Sequence, residues 1–147
     1  MQSIFQLEAF QDIKIRLEQL DKNTSPQWGK MNVSQMLWHC QGPLNIILEK
    51  KNYGLKPNWL IKTFFKKSMY NDKPWRHSLP TVPVFKAQSD KDFNIEITNL
   101  IHLLDELYNQ KERTDWKAHP SFGDFTKAQW GKMQYKHLDH HLKQFGV

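Results

Sequence analysis

Hydrophobic residues recur every three or four positions in four long stretches of the chain, which is the spacing of amphipathic helices. The first stretch runs from about Ser3 to Leu20, and the second begins after Asn32. The third follows Asp92 and has the cleanest apolar stripe, and the fourth follows Thr126 and continues to the C-terminus. No strand pattern of comparable length occurs, so the sequence predicts an all-α protein.

Polar capping residues mark the starts of three of these helices. Asn32 and Thr126 are each followed three residues later by a glutamine, which is the pattern of a capping box. The segment Ser89–Asp92 offers a further cap. Pro43 lies inside the second predicted helix and is expected to kink it or to mark a local adjustment, because proline removes a backbone hydrogen bond.

A long connection, from about Lys50 to Ser89, separates the second and third predicted helices, and it is too long to be a simple turn. Within it, Trp59–Lys67 predicts a short amphipathic helix whose apolar side caps the bundle and whose lysines face outward. The segment Leu79–Phe85 is expected to be extended, because each proline disfavours helix in the preceding residue. Four long helices with one long crossover predict a four-helix bundle in which the second and third helices run parallel.

The chain has 147 residues, which is the size of one domain with a single core, so we expect one domain spanning residues 1–147. No stretch approaches the roughly 20 consecutive apolar residues of a transmembrane helix, and the N-terminus lacks the features of a signal peptide. Cys40 is the only cysteine, so no intramolecular disulfide can form. A soluble cytoplasmic protein is therefore expected.

Positive charge is concentrated in residues 50–76, which carry seven lysines and one arginine against a single aspartate. The rest of the chain is close to neutral, since the formal net charge of the whole is +6. Such a segment can attract an anionic small molecule, a membrane surface or a nucleic acid, and scattered lysines that keep a protein soluble are the alternative. The candidate anion-binding residues are Lys62, Lys66 and Lys67.

The pentapeptide Gln-Trp-Gly-Lys-Met occurs twice, at residues 27–31 and 129–133. A histidine follows each methionine by eight residues, His39 in one copy and His141 in the other, and the same offset lays Gln35 on His137. This match indicates an internal pseudo-symmetry. The alternative is that the pentapeptide is only a helix entry, with a packing tryptophan and a glycine that permits a turn. Even under this alternative, two similar helix starts would bring two similar helices next to each other.

The histidines of the two copies form a candidate metal site. His137 and His141 are four residues apart, so on a helix their imidazoles share one face, and His39 would approach from the second helix. Neutral imidazole suits zinc, nickel, copper or iron, and three protein ligands leave at least one coordination position open for water or substrate. His140 is the rival ligand to His141, because an i, i+3 pair with His137 is also geometrically possible.

Polar neighbours of the histidines have candidate supporting roles. Gln35 and Gln144 fall on the ligand faces of their helices, where they would orient an imidazole or hold a bound water, unless they are ordinary polar residues near a bundle end. Asp139 lies on the other side of the helix from His137, so we expect it to pair with Lys143 and not to act as a general base.

These motifs resemble the DinB-like, or DinB/YfiT-like, metalloenzyme superfamily, in particular a branch described only as a domain of unknown function. The resemblance spans nearly the whole chain and rests on residues 27–31, 36–40, 79–85 and 129–146. It implies a helical bundle with a long crossover, frequent homodimers and a divalent metal that is often zinc or nickel. The superfamily's ligand pattern carries over to His39, His137 and His141.

The resemblance does not name a reaction. Relatives include thiol S-transferases and a thiol-dependent isomerase, so it implies a metal-dependent enzyme that acts on a small-molecule substrate and uses a low-molecular-weight thiol. The metal would act as a Lewis acid on the bound thiol and lower its pKa. Hydrolysis by a metal-bound hydroxide is the open alternative.

A second hypothesis is a non-catalytic binding protein. The basic segment 50–76 interleaves its lysines with Trp59, Phe64, Phe65 and Trp75, a composition that suits stacking on single-stranded nucleic acid or insertion at a membrane surface. The same aromatic residues would also serve to cover the core at the end of the bundle. We therefore prefer the enzyme hypothesis and do not expect a nucleic acid as partner.

Overall fold

The structure, a computed structural model, describes residues 1–147 and is all-helical, as predicted. Its only pairing of the strand type is an isolated bridge between His119 and Gly123, and a 3-10 turn covers Pro83–Phe85. No helix combines the length and the apolar character needed to cross a membrane. The five α-helices are α1 (Leu7–Glu18), α2 (Val33–Ile47), α3 (Trp59–Tyr70), α4 (Phe93–Asn109) and α5 (Lys127–Gln144).

The predicted caps start three of the four long helices. The Asn32 side chain accepts a hydrogen bond from the Gln35 backbone N–H at 2.9 Å, and the Gln35 side chain accepts one from the Asn32 N–H at 3.1 Å. Thr126 and Gln129 form the same box at α5, and Asp92 caps α4. Each cap satisfies backbone donors that have no partner within the helix.

The four long helices form a bundle in which α1 and α2 each pack against both α4 and α5. Residues further along α2 contact residues further along α4. Gln41 bonds to Glu96 near the start of α4, and Lys50, just beyond α2, pairs with Glu106 near its end. These helices therefore run parallel, as the long crossover predicts. One cluster of 21 buried hydrophobic residues forms the core, with contributions from all four long helices.

The predicted packing of the crossover helix is wrong, because α3 turns its apolar residues toward solvent. Trp59 and Phe64 are 71% and 69% exposed, and no residue of α3 is fully buried. A lysine side faces the protein instead, with Lys66 donating to the backbone carbonyl of Asp124. The C-terminal end of α3 packs against the core through Met69. An amphipathic pattern identifies two faces of a helix but not which face meets the protein.

The prediction that Leu79–Phe85 is extended is wrong for its last three residues. Pro83 begins a 3-10 turn in which the Phe85 N–H donates to the Val82 carbonyl at 2.9 Å. Proline suits the first position of a helical turn, because its fixed φ is already helical and its missing N–H would have no partner there. This turn brings Phe85 against α2.

Candidate metal centre

Three buried histidines meet between α2 and α5. His39 comes from α2, and His137 and His141 lie one turn apart on α5. One ring nitrogen from each lies within 4.8 Å of the others, and the Nε2 atoms of His39 and His137 are 3.0 Å apart. Ligand nitrogens roughly 2.0 to 2.1 Å from a tetrahedral zinc stand about 3.3 Å from one another. The separation of His39 and His137 is therefore close to that of two ligands of one ion, and the third ring nitrogen lies within 4.8 Å of both.

The Phe85 carbonyl fixes the ring of His39. His39 Nδ1 lies 3.0 Å from that carbonyl oxygen, which only accepts hydrogen bonds. The ring proton is therefore on Nδ1, and the Nε2 lone pair is free for the cluster. Phe85 comes this close because Gly42 of α2 has no side chain: a Cβ there would stand 2.7 Å from the Phe85 ring.

Gln144 fixes the ring of His141 in the same way. Its amide nitrogen donates to the Trp28 carbonyl at 2.7 Å, so the amide oxygen, 2.9 Å from His141 Nδ1, accepts the ring proton. His141 Nε2 is then free for the cluster. Gly29 permits this arrangement, because a Cβ there would stand 2.5 Å from the Gln144 amide nitrogen and its φ of +86° is unfavourable for other residues.

The third imidazole has no such partner. His137 Nδ1 is buried and makes no hydrogen bond, while its Nε2 faces the Nε2 of His39. Since the His39 Nε2 is a bare lone pair, the two rings repel each other unless a proton or a cation lies between the two nitrogens. The donor set and the unpaired nitrogen therefore fit a bound cation.

Burial holds the three imidazoles neutral. Desolvation lowers the pKa of His141 to about 3 and moves the pKa of His137 well below its usual range, and the neighbouring histidines add to both shifts. Desolvation also lowers the pKa of His39, although the Phe85 carbonyl opposes this shift. Neutral imidazole is the form that binds metals, so protons compete weakly for this site near neutral pH.

His140, the predicted rival ligand, lies outside the cluster. Its ring centroid is 5.2 Å from that of His141, and its side chain lines a cavity of about 90 Å³ together with Trp28, Trp75 and His77. The Trp28 and His77 rings stack with centroids 3.8 Å apart. None of the three cluster histidines lines this cavity.

The other predicted supporting residues have different positions. Gln35 closes the cap of α2, and no hydrogen bond joins its side chain to a histidine. Asp139 pairs with Lys143 at 2.8 Å, as predicted, and also with Arg16 at 3.0 Å. Cys40 is buried, with its thiol 3.6 Å from the sulfur of Met36. Gln144 is thus the one predicted glutamine that touches the cluster.

The three candidate anion-binding lysines do not converge on the histidines. Lys66 lies 5.0 Å over the Phe125 ring, and the Lys62 ammonium lies beside Gly123, so both reach the loop before α5. Lys67 is exposed. We therefore place these lysines apart from the cluster.

Lys136, which the sequence analysis did not single out, is a buried cation beside the site. Its ammonium donates to the carbonyls of Ser68 and Asn71 at 2.7 and 3.0 Å and to the Asn71 side chain at 2.9 Å. Trp75 donates to the same Ser68 carbonyl, and its ring lies at a steep angle to the His137 ring, with centroids 6.0 Å apart. Lys136 therefore joins the C-terminal end of α3 to α5, and no sequence motif predicts these partners.

The two copies of the pentapeptide occupy different positions relative to their helices. Residues 27–31 precede the cap of α2, whereas residues 129–133 lie inside α5, after its cap. The first copy holds the end of α5, with the Gln27 N–H donating to the Gln144 carbonyl at 2.7 Å. The second copy places Trp130 in the core. His39 and His141 do meet, but their helices begin differently relative to the repeat.

Comparison with known families gives one match. The sequence profile described as "Protein of unknown function (DUF1569)" matches residues 2–146. Neither the search of curated proteins nor the search of solved structures found a match.

Proposed function

Because the chain belongs to the DUF1569 family, whose function is unknown, we propose a function from the site itself: a divalent-metal-dependent enzyme in which His39, His137 and His141 hold the ion. The observation that carries the proposal is the convergence of three ring nitrogens within 4.8 Å in a buried place. Zinc and nickel suit neutral imidazoles, and three protein ligands leave a position for substrate. We further propose that the family is a branch of the DinB-like superfamily, which the all-helical bundle and these ligand positions support.

The chain's own residues prepare the site. The Phe85 carbonyl and the Gln144 amide oxygen hold the protons of His39 and His141 on Nδ1, which presents both Nε2 lone pairs to one point. The Trp75 ring lies beside His137, with centroids 6.0 Å apart. When bound, the ion would act as a Lewis acid that lowers the pKa of a thiol ligand.

The chain offers no reactive thiolate of its own. Cys40 is 1% exposed, and burial raises the pKa of its thiol, so it stays protonated. A thiol nucleophile at this site would therefore come from a small molecule. We propose a thiol-dependent S-transferase that joins a low-molecular-weight thiol to a small electrophilic substrate, as in the thiol S-transferases of the DinB-like superfamily. A cytoplasmic location and a homodimer stay predictions, and size-exclusion chromatography with light scattering measures the second.

Thiol binding at the histidine site is tested by absorption spectroscopy. Protein loaded with nickel is titrated with 2-mercaptoethanol, and we expect a new thiolate-to-nickel charge-transfer band. The band should be absent in His137→Ala and unchanged in His102→Ala, whose side chain is 75% exposed. A nickel-loaded protein whose spectrum does not respond to millimolar thiol would rule out the thiol-dependent reaction and leave the metal site standing.

A further inference from the structure

Helix α3 carries an apolar face that no part of the chain covers. Trp59, Phe64 and Phe65 are 71%, 69% and 56% exposed, and Leu60 is 48% exposed. Leu60 and Phe64 are one turn apart, so they share one side of the helix. Leu60, Phe64 and Phe65 fall within about 140° of the helix circumference on the 3.6-residue repeat, so these three form one apolar face, in contrast to the isolated apolar residues of an ordinary surface.

The opposite side of α3 holds it to the protein. Lys66 donates to the Asp124 carbonyl and lies over the Phe125 ring, and the Lys62 ammonium lies beside Gly123. The hydrogen bonds of Lys136 to Ser68 and Asn71 secure the C-terminal end. The outward direction of the apolar face is therefore fixed by several polar contacts on the inner face.

Charge around the patch selects its partner. The surrounding segment, residues 50–76, has eight basic side chains and one acidic side chain. Lys56 and Lys67 are exposed and flank the apolar residues in the sequence. A two-fold dimer through α3 would bring two such positive segments face to face, which opposes self-association. A nucleic acid would use the aromatic rings by stacking, but Leu60 offers no aromatic face.

An anionic lipid surface satisfies both features of the segment. Interfacial helices place tryptophan, phenylalanine and leucine at the boundary of headgroups and acyl chains, and their lysines contact the anionic headgroups. We propose that α3 docks the protein on anionic membranes, with Leu60, Phe64 and Phe65 inserted and Lys56 and Lys67 at the lipid phosphates. This surface is distinct from the histidine cluster, so the inference does not depend on the proposed enzyme function.

Vesicle cosedimentation tests the inference directly. The whole protein is mixed with vesicles of phosphatidylcholine alone or of phosphatidylcholine with phosphatidylglycerol, at low and at high salt. We expect binding to the anionic vesicles only, weakening as salt rises because headgroup charges are screened. Equal binding to the two vesicle types, or no binding to anionic vesicles at low salt, would overturn the proposal.

Matched variants distinguish binding through α3 from non-specific adsorption of exposed apolar residues. Phe64→Ser with Phe65→Ser should lower the vesicle partition coefficient about tenfold or more, because buried apolar area drives interfacial binding. The control, Ile15→Ser with Ile95→Ser, changes two residues of 57% and 59% exposure on α1 and α4 and should leave partitioning unchanged. Both pairs are on the surface, so circular dichroism should show intact helices. Equal losses in the two pairs would contradict a role for α3.

A second pair of variants tests the charge. Lys56→Glu with Lys67→Glu should lower partitioning about tenfold or more, whereas Lys22→Glu with Lys30→Glu makes the same change in net charge elsewhere and should have a much smaller effect. Two other results would also reject the membrane: a dimer that Phe64→Ser and Phe65→Ser dissociate, which would identify a second copy as the occupant, or binding of an oligonucleotide without binding of vesicles.

Discussion

Two hydrogen-bond acceptors decide which nitrogens of the histidines are available. The Phe85 carbonyl binds His39 Nδ1 and the Gln144 amide oxygen binds His141 Nδ1, at 3.0 and 2.9 Å. Each acceptor selects one ring tautomer and orients the ring, and such outer contacts commonly tune the affinity of a metal site. His137 lacks an acceptor at Nδ1, so its orientation depends more on packing and on the ion.

The glutamines at residues 35 and 144 provide a matched comparison. We expect Gln144→Ala to weaken zinc binding about 10- to 100-fold, because His141 loses the acceptor that fixes its ring. Gln35→Ala removes one half of the capping box, the bond from the Asn32 N–H, so it should cost up to about 1 kcal/mol of stability and leave zinc affinity unchanged. Competition with a chromophoric chelator measures the affinity, and urea unfolding measures the stability. Equal zinc affinities in the two variants would contradict the role of Gln144.

His119 is a structural histidine outside the cluster. Its Nδ1 accepts hydrogen bonds from the backbone N–H groups of Ser121 and Phe122 at 3.1 and 3.3 Å, and burial lowers its pKa to about 4. The unfolded chain, with a histidine pKa of about 6.5, takes up a proton that the folded chain does not. Stability from this group is therefore present above pH 6.5 and is lost as the pH falls toward 4.

Replacing this histidine isolates its share of the pH dependence. In His119→Asn the amide oxygen replaces Nδ1 as acceptor without titrating. We expect wild-type stability to fall by roughly 3 kcal/mol more than that of the variant between pH 7 and pH 4. Urea unfolding across this range measures the difference. Parallel curves for the two proteins would show that the imidazole does not stay neutral in the fold.

At the scale of elements, α3 is held to the bundle by a buried cation. Lys136 of α5 supplies three hydrogen bonds to the last turn of α3 and its C-cap, and burial lowers its pKa. Charged donors make stronger hydrogen bonds than neutral ones, and carbonyls that lose a donor while buried are costly. Lys136 is therefore the contact that ties the C-terminal end of α3 to α5, beside the contacts of Lys66 and Met69.

Lys136→Met should release the crossover helix locally. The methionine side chain has a similar volume, but the Asn71 carbonyl loses its Lys136 donor and the Ser68 carbonyl keeps only the bond from Trp75. We expect faster amide hydrogen exchange in α3, with α2 and α4 unchanged, because regions open separately when their own contacts are few. Lys132→Met on the same helix is the control. Unchanged exchange in α3 would show that apolar contacts at Met69 and Tyr70 are sufficient to hold it.

The long helices were predictable because their signals are local. The stripe of α4 and the capping boxes at Asn32 and Thr126 depend on neighbours in the sequence, and the structure has both. The orientation of α3 was not predictable, because its inner face is set by distant partners such as Asp124. The repeat did not predict helix starts. Residues 27–31 and 129–133 have the same sequence, but the cap of α2 follows the first copy and the cap of α5 precedes the second.

The convergence of the three histidines and the contact of Gln144 with His141 were predictable, but the backbone carbonyls that hold the rings and Gln144 were not. An i, i+4 pair on one helix is a local feature, and His39 was identified from the repeat. The Phe85 and Trp28 acceptors are backbone carbonyls, which every residue possesses, so no side-chain pattern marks them. The only sequence features linked to these contacts are Gly42 and Gly29, where the chain passes close to Phe85 and Gln144. A glycine has several other uses, so it does not predict such a contact.

At the scale of the whole molecule, an ion at the cluster would couple α2 to α5. Binding to the folded state alone stabilises it by mass action, by about 2.7 kcal/mol when the free ion is at 100 times its dissociation constant. The same ion would take the place of a proton between the facing nitrogens of His39 and His137. Folding and metal binding should therefore strengthen each other across the bundle.

The metal content of protein purified without an affinity tag tests this account most directly. Elemental analysis should find about one zinc or nickel ion per chain, with the ion lost in His39→Ala and His141→Ala and retained in His102→Ala. The exposed His102 makes that variant a control for adventitious binding. A wild-type protein that holds no metal and cannot be reconstituted, or a full complement of metal in the two cluster variants, would contradict the three-histidine centre.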